Sequence, residues 1–212
     1  MDRFAAAREW MVARQIAARG IDDPALLAAF RAVPREMFVA DAQAHAAYDD
    51  RALPIEAGQT ISQPYIVALM IAAAEVGADD RVLEVGAGSG YAAAVLGQVA
   101  GQVIAIERHG ELAALASDRI ARLGYGNVRI VEGDGTLGWP EAAPYDVILA
   151  AASGGRVPPA LIAQLKPGGR LVMPLSGRWA GQTLVKLTKR RDGSIAREQL
   201  CGVRFVPLVG AE

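Results

Sequence analysis

From Arg81 onward, short apolar runs alternate with longer stretches of helical period. Arg81–Val85, Gln102–Ile106, Asn127–Val131, Asp146–Ala151 and Arg170–Met173 read as strands. Ser89–Val99, Gly110–Leu123 and Pro158–Leu165 read as helices between them. This alternation predicts a parallel sheet with helices on both faces. The tail breaks the pattern. Gln182–Lys189 and Ala196–Val206 are both strand-like and flank Arg191-Asp192-Gly193-Ser194. Asp-Gly between two such runs signals a hairpin. The expected fold is α/β: a doubly wound, mostly parallel seven-stranded sheet that ends in an antiparallel hairpin.

The first 45 or so residues predict a helical extension. Ala5–Arg19 places Trp10, Met11, Val12 and Ile16 among charged residues, and Gly20 follows as a stop. Asp22-Asp23-Pro24 reads as an acidic cap with proline in the first turn. Leu26, Leu27 and Phe30 supply that helix with an apolar face, and Pro34 ends it. Tyr48–Gln63 shows no period and contains Pro54 and Gly58. A loop this long inside a compact domain is uncommon unless it has a function, so it is a candidate site. After Pro64, Tyr65–Val76 reads as a buried helix.

The length, 212 residues, fits one domain over 1–212, with residues 1–64 as helices and loop and 65–212 as the α/β core. About half the residues (52%) are apolar, enough for a sizeable core. A net charge of −1 gives no electrostatic footprint for nucleic acid. Cys201 is the only cysteine, so neither an internal disulfide nor a cysteine metal cluster is expected, and no metal site is. The N-terminus lacks a signal-peptide pattern, and the longest apolar stretch, Tyr65–Ala74, is too short to span a bilayer. These features lead to the expectation of a soluble cytoplasmic protein, monomeric and without a membrane partner. Trp10, Trp139 and Trp179 read as packing groups, and His45 and His109 as surface groups more than ligands, with His109 close enough to Glu107 in the chain to neighbour a ligand there.

Chemistry concentrates where strands end. Val85-Gly86-Ala87-Gly88-Ser89-Gly90 runs from a strand into a helix, and its glycines let the backbone turn tightly under a ligand. The spacing is Gly-x-Gly-x-Gly, whereas the dinucleotide fingerprint is Gly-x-Gly-x-x-Gly. Glu107 closes the next strand about 20 residues on, the separation at which a carboxylate reaches ribose hydroxyls. Asp134, between Gly133 and Gly135, ends the strand after that and could accept a hydrogen bond from an adenine amino group. Ligands of open α/β sheets bind at these carboxyl ends.

Glu84, Gly86, Gly88, Ser89 and Gly90, with Glu107, Asp134 and Gly135, resemble the cofactor site of the class I S-adenosylmethionine-dependent methyltransferases, whose Rossmann-like fold is thereby implied. The loop narrows the resemblance. Asp50-Arg51-Ala52-Leu53-Pro54-Ile55 followed by Gly58-Gln59-Thr60-Ile61-Ser62-Gln63-Pro64 is similar to the signature of the protein-L-isoaspartate (D-aspartate) O-methyltransferases. Val33-Pro34-Arg35, Pro144-Tyr145-Asp146, Lys166-Pro167-Gly168-Gly169 and Arg204-Phe205-Val206-Pro207-Leu208 agree in order.

That resemblance implies methyl transfer from S-adenosyl-L-methionine to the free α-carboxylate of L-isoaspartyl residues in damaged proteins and peptides. The ester then collapses to a succinimide that reopens partly to aspartate. A carboxylate is already ionised at neutral pH, so no general base is needed. The resemblance implies that Ser62 orients it, that Thr60 and Ile61 line the cofactor side, and that the Arg204, Phe205 and Val206 backbone pairs with the substrate peptide. Without the resemblance, Ser62 reads as a cap for the helix near Pro64. Two departures stand out. Glu56 replaces the family's usual glycine, and Ala152-Ser153-Gly154-Gly155-Arg156 replaces an alanine- and proline-containing segment, with greater flexibility expected. The alternatives are a methyltransferase of the same fold acting on another peptide carboxylate, a non-catalytic cofactor-binding homologue and, least favoured, an NAD-linked dehydrogenase.

Overall fold

Capping residues set where the first helices begin and end. The computed structural model describes residues 3–177 and 181–210, so Trp179 lies outside the described residues. Helix α1 (Ala5–Trp10) continues through wider turns at Met11–Ile16 and a 3₁₀ turn at Ala17–Arg19. Gly20 stops it in the left-handed conformation, φ 90°. Helix α2 (Pro24–Ala32) starts at Asp23, whose carboxylate accepts the amides of Ala25 and Leu26 at 2.8 and 3.2 Å. Met11, Val12, Ile16, Leu26 and Phe30 are buried, but Trp10 is 58% exposed and is not the packing group expected. It falls on the face of α1 turned away from the core.

The aperiodic loop is more regular than its sequence. Strands β1 (Leu53–Pro54) and β2 (Thr60–Ile61) pair antiparallel, Leu53 opposite Ile61, around a 3₁₀ turn at Glu56–Gly58. Two-residue strands are too short to show a period of two. Helix α3 (Pro64–Ala74) follows, with proline in its first turn.

The core contains β3 (Arg81–Val85), α4 (Tyr91–Val99), β4 (Gln102–Glu107), α5 (Gly110–Arg122), β5 (Val128–Glu132), β6 (Tyr145–Ala150), α6 (Pro159–Gln164) and β7 (Leu165–Ser176), then β8 (Gln182–Lys189) and β9 (Ile195–Val203). The seven-stranded sheet runs β5-β4-β3-β6-β7-β8-β9. Pairing is parallel from β5 to β7 and antiparallel from β7 to β9. β7 is longer than its apolar run because a register shift against β6 accommodates the Lys166–Gly169 turn before Arg170. β9 ends at Val203, three residues before the expected boundary.

Alternate side chains divide the core. Val82, Val103, Ala105 and Val147 pack with α3, α4 and the N-terminal helices, while Leu83, Val85, Ile104 and Ile148 pack with Leu161 of α6 on the other face. Strand order reverses at β3, which has β4 on one side and β6 on the other. The crevice beyond their carboxyl ends is where an open α/β sheet binds ligands. Among the described residues, no helix is long and apolar enough to cross a membrane.

Asp23 stands far from that crevice in the chain and works only as a cap. Asp23→Ala is expected to lower stability by about 1 kcal/mol, read as a lower urea midpoint with an unchanged slope.

Candidate active site

The β3–α4 connection requires glycine at three positions. Gly86, Gly88 and Gly90 all have positive φ, at 89°, 53° and 89°. A side chain in that region costs about 1–2 kcal/mol. The Gly86 and Ala87 amides both donate to the Ile106 carbonyl at 2.9 Å, which fastens the turn to β4. Gly90 has a second reason to be glycine, because a Cβ there would lie 3.2 Å from the Ala116 Cβ of α5. The position of the dinucleotide fingerprint's third glycine is held by Tyr91, which is fully buried.

Two carboxylates sit beneath this turn. Glu107 Oε2 accepts the Gly88 amide at 2.8 Å, and its Oε1 accepts the His109 amide at 3.0 Å. The residue expected to meet a ribose therefore also braces the turn, and each oxygen retains a lone pair for a ligand. Glu84 is 2% exposed and its Oε2 has no hydrogen-bond partner among the described residues. Burial, and then the negative charge of Glu107, push its pKa up to about 8.

A cleft of about 920 Å³ opens over the turn. Of the residues expected at the site, all but Gly90 and Asp134 line it. Gly90 acts underneath, as the start of α4. Asp134 faces an adjoining recess of about 350 Å³ beside Arg108, Glu132 and Gly210. Its Oδ1 accepts the Thr136 amide at 2.9 Å and the Thr136 hydroxyl at 2.7 Å, so it caps its own 3₁₀ turn. Of the two histidines, His45 is exposed on the surface, whereas His109 lines the main cleft. Trp139 packs against the core on the α6 side.

The 48–63 loop forms the cleft's opposite wall. Thr60, Ile61 and Ser62 reach it from β2 and the residue after it. The Ser62 hydroxyl has no hydrogen-bond partner among the described residues. It does not cap α3, whose N-cap is Gln63 without a side-chain bond. The loop is tied down by Glu56, whose Oε1 pairs with Arg119 Nη2 of α5 at 3.1 Å. Arg119 Nη1 also reaches the Ser89 carbonyl at 3.4 Å. That pairing adjoins Ala57, a non-glycine residue at φ 54°.

The tail differs from expectation. Phe205 is not free to pair with a peptide. Its amide donates to Gln182 Oε1 at 2.6 Å, and its carbonyl accepts from Gln182 Nε2 at 3.0 Å. The Gln182 side chain thus prolongs the β8–β9 ladder past the end of the strand. The Val206 carbonyl accepts the Ser153 amide at 2.8 Å. What remains unpaired among the described residues is the Arg204 backbone and the Val206 N–H. The 152–156 segment is also firmer than its glycines suggest. The Ser153 carbonyl accepts the Leu208 amide at 2.8 Å, and its hydroxyl lies 2.9 Å from that of Ser176. Gly154 bonds β7 through Pro174 and Ser176. The 152–154 stretch is therefore pinned between the tail and the sheet. Gln182 and Arg119 had no signal in the sequence, since each acts across a distance in the chain and belongs to no local motif.

The comparisons with known proteins agree with this geometry. Residues 6–212 match the family described as protein-L-isoaspartate (D-aspartate) O-methyltransferase. The chain belongs to that family. A protein-L-isoaspartate O-methyltransferase 1 of Rhodopseudomonas palustris (strain HaA2) is 56% identical over 209 residues, which cover 99% of this chain and 85% of that one. A protein-L-isoaspartate O-methyltransferase 2 of Pelobacter propionicus is 54% identical, over 97% of this chain and 91% of that one. Among solved structures, a protein-L-isoaspartate O-methyltransferase superposes with a TM-score of 0.87 at 30% identity, covering 97% of this chain and 66% of the longer solved chain. A Plasmodium falciparum protein carrying the same family name, solved with S-adenosyl-L-homocysteine, gives a TM-score of 0.83 at 25% identity, over 95% of this chain and 98% of its own.

In this methyltransferase Glu84 makes stability depend on pH. Its pKa is about 8 when folded and about 4.3 when unfolded. Between those values the folded state holds the extra proton, so stability falls as pH rises and levels off above 8. From pH 6 to pH 8 the ligand-free protein is expected to lose about 2 kcal/mol through this group. Urea titrations at both pH values check it. Glu84→Gln should remove that part of the slope, and an identical slope in both proteins would contradict the assignment.

Proposed function

We propose that this protein transfers a methyl group from S-adenosyl-L-methionine to the free α-carboxylate of L-isoaspartyl residues in damaged proteins and peptides, which starts their return to aspartate. The observation that carries this reading is the single cleft shared by the glycine turn, the Ser62 loop and the open Val206 N–H. The family's relatives bear the name of the same activity.

The residues present fit the methyl donor. Glu84 supplies a buried carboxylate oxygen with no partner among the described residues, suited to an ammonium group. Glu107 keeps acceptor capacity for a diol, and glycines at 86 and 88 keep the floor free of side chains. Thr60 and Ile61 would cover the donor from the loop side, and Gly135 would meet it beyond the end of β5, where a Cβ would strike the Val85 side chain. Bound there, S-adenosyl-L-methionine supplies a methyl group on a positively charged sulfur, which a carboxylate displaces without moving a proton. Ser62 would donate its hydroxyl to one carboxylate oxygen, and Val206 its amide to the substrate. Holding opposite charges in line, away from water, contributes up to ~7–11 kcal/mol in well-oriented reactions. Side chains other than Ser62 would be contacted little, so many sequences around the lesion would be accepted. We also infer that the protein acts on its damaged substrates as a cytoplasmic monomer.

Ser62→Ala tests the role of the loop. With a saturating isoaspartyl peptide, kcat is expected to fall on the order of 10- to 100-fold, while S-adenosyl-L-homocysteine binds as in the wild type. Unchanged turnover would remove Ser62 from the reaction.

A further inference from the structure

Arg35 is the largest side chain with no exposed surface. Burying a cation is costly unless it is paired. No carboxylate lies within ion-pair distance of it among the described residues. Its neighbour Glu36 is engaged by Arg8 and by the Tyr48 hydroxyl. The guanidinium meets carbonyls and a ring instead. Nε donates to the Ala47 carbonyl at 2.7 Å, and Nη2 donates to the Ser62 carbonyl at 2.8 Å. The group lies over the Tyr91 ring, 4.6 Å from its centroid. Among the described residues Nη1 has no partner in hydrogen-bond geometry.

These contacts join three segments that are remote in the chain. Arg35 itself opens the 3₁₀ turn Arg35–Phe38 of the N-terminal extension. Ser62 ends the substrate loop. Tyr91 is the first residue of α4, directly after the glycine turn. A planar fork suits this task, because it can bond two carbonyls in its plane while a ring packs on its face. An ammonium has no flat face and reaches fewer acceptors in a fixed direction. A hydrocarbon would fill the space at less desolvation cost but would leave the Ser62 carbonyl unheld. The bond to that carbonyl orients the peptide plane between Ser62 and Gln63, and with it the serine's place relative to the turn. Among the described residues no group bonds the serine hydroxyl.

We propose that Arg35 is a positioning residue for methyl transfer. It fixes the Ser62 backbone against Tyr91, so that a carboxylate held at Ser62 meets the methyl donor over the 86–90 turn. Arg35 touches neither reactant and acts through Ser62. The proposal rests on the isoaspartyl methyltransferase reading. Wild-type turnover tests that reading, and the ratios between variants test this one.

The experiment uses Arg35→Gln and Arg35→Lys, each with and without Ser62→Ala, well below each variant's melting temperature. Arg35→Gln is expected to lower kcat on an isoaspartyl peptide on the order of 10- to 100-fold, and Arg35→Lys by less. S-adenosyl-L-homocysteine affinity should stay within about threefold, since Arg35 bonds only the Ala47 and Ser62 carbonyls and none of Glu84, Gly86, Gly88 and Glu107. In the Ser62→Ala background the same substitutions should change kcat by less than about threefold, because coupled residues are not additive. The proposal is overturned if the Arg35 penalty is equal in both backgrounds, if kcat is unchanged, or if cofactor affinity falls in step with activity. If Arg35→Gln does not fold, the Arg35→Lys pair decides the question by the same criteria.

Discussion

Gly88 donates its amide hydrogen to Glu107 at 2.8 Å, across the gap between the ends of β3 and β4. The turn that contains it needs three left-handed residues in five, a conformation that glycine alone adopts at little steric cost. Glycine also has the most conformational freedom to lose, so such a turn must be held from outside. Glu107 holds one amide, and the Ile106 carbonyl holds two more. With the turn fixed, Gly90 caps α4 close against α5, and Tyr91 is placed in the core. The floor of the cleft is then bare backbone above two carboxylates.

The opposite wall is built by different means. The 48–63 loop has only two short strands of its own; Leu53, Ile55 and Ile61 bury it in the core, and charged groups from elsewhere hold its turn and its end. Arg119 anchors Glu56 from α5, and Arg35 anchors Ser62 from the N-terminal extension. The extension is thus tied to the reaction and is more than an added layer of helices. The tail is held in a comparable way, by the Gln182 amide on Phe205 and by Ser153 on Val206 and Leu208. Each wall leaves a small number of polar groups unpaired, and they face one cleft.

Sequence pattern made much of this legible. The strands of the sheet stood out as short apolar runs, and most boundaries fell within two residues, as helix and strand ends usually do. Capping at Asp23 followed from its carboxylate, and the stop at Gly20 from glycine's freedom to turn left-handed. The tail boundary did not, because residues 204–206 are as strand-like as those before them and only the Gln182 side chain replaces their ladder partner. Glycine in the 152–156 segment suggested looseness. At Gly154 it serves close approach instead, since a Cβ would lie 2.8 Å from the Arg156 carbonyl oxygen and 2.9 Å from Met173 Cε. At the site, the turn and Glu107 were visible from spacing, whereas Ser62 was visible only through family resemblance. Asp134 sat at the right strand end, yet its carboxylate caps the next turn.

The central claim is that this cleft presents an isoaspartyl α-carboxylate to a methyl donor. It is tested most directly with two peptides of one sequence, one containing L-isoaspartate and the other L-aspartate, incubated with enzyme and S-adenosyl-L-methionine labelled in the methyl group. Base-labile label appearing on the isoaspartyl peptide alone is the predicted result. Label on the aspartyl peptide with none on its isomer would contradict the account.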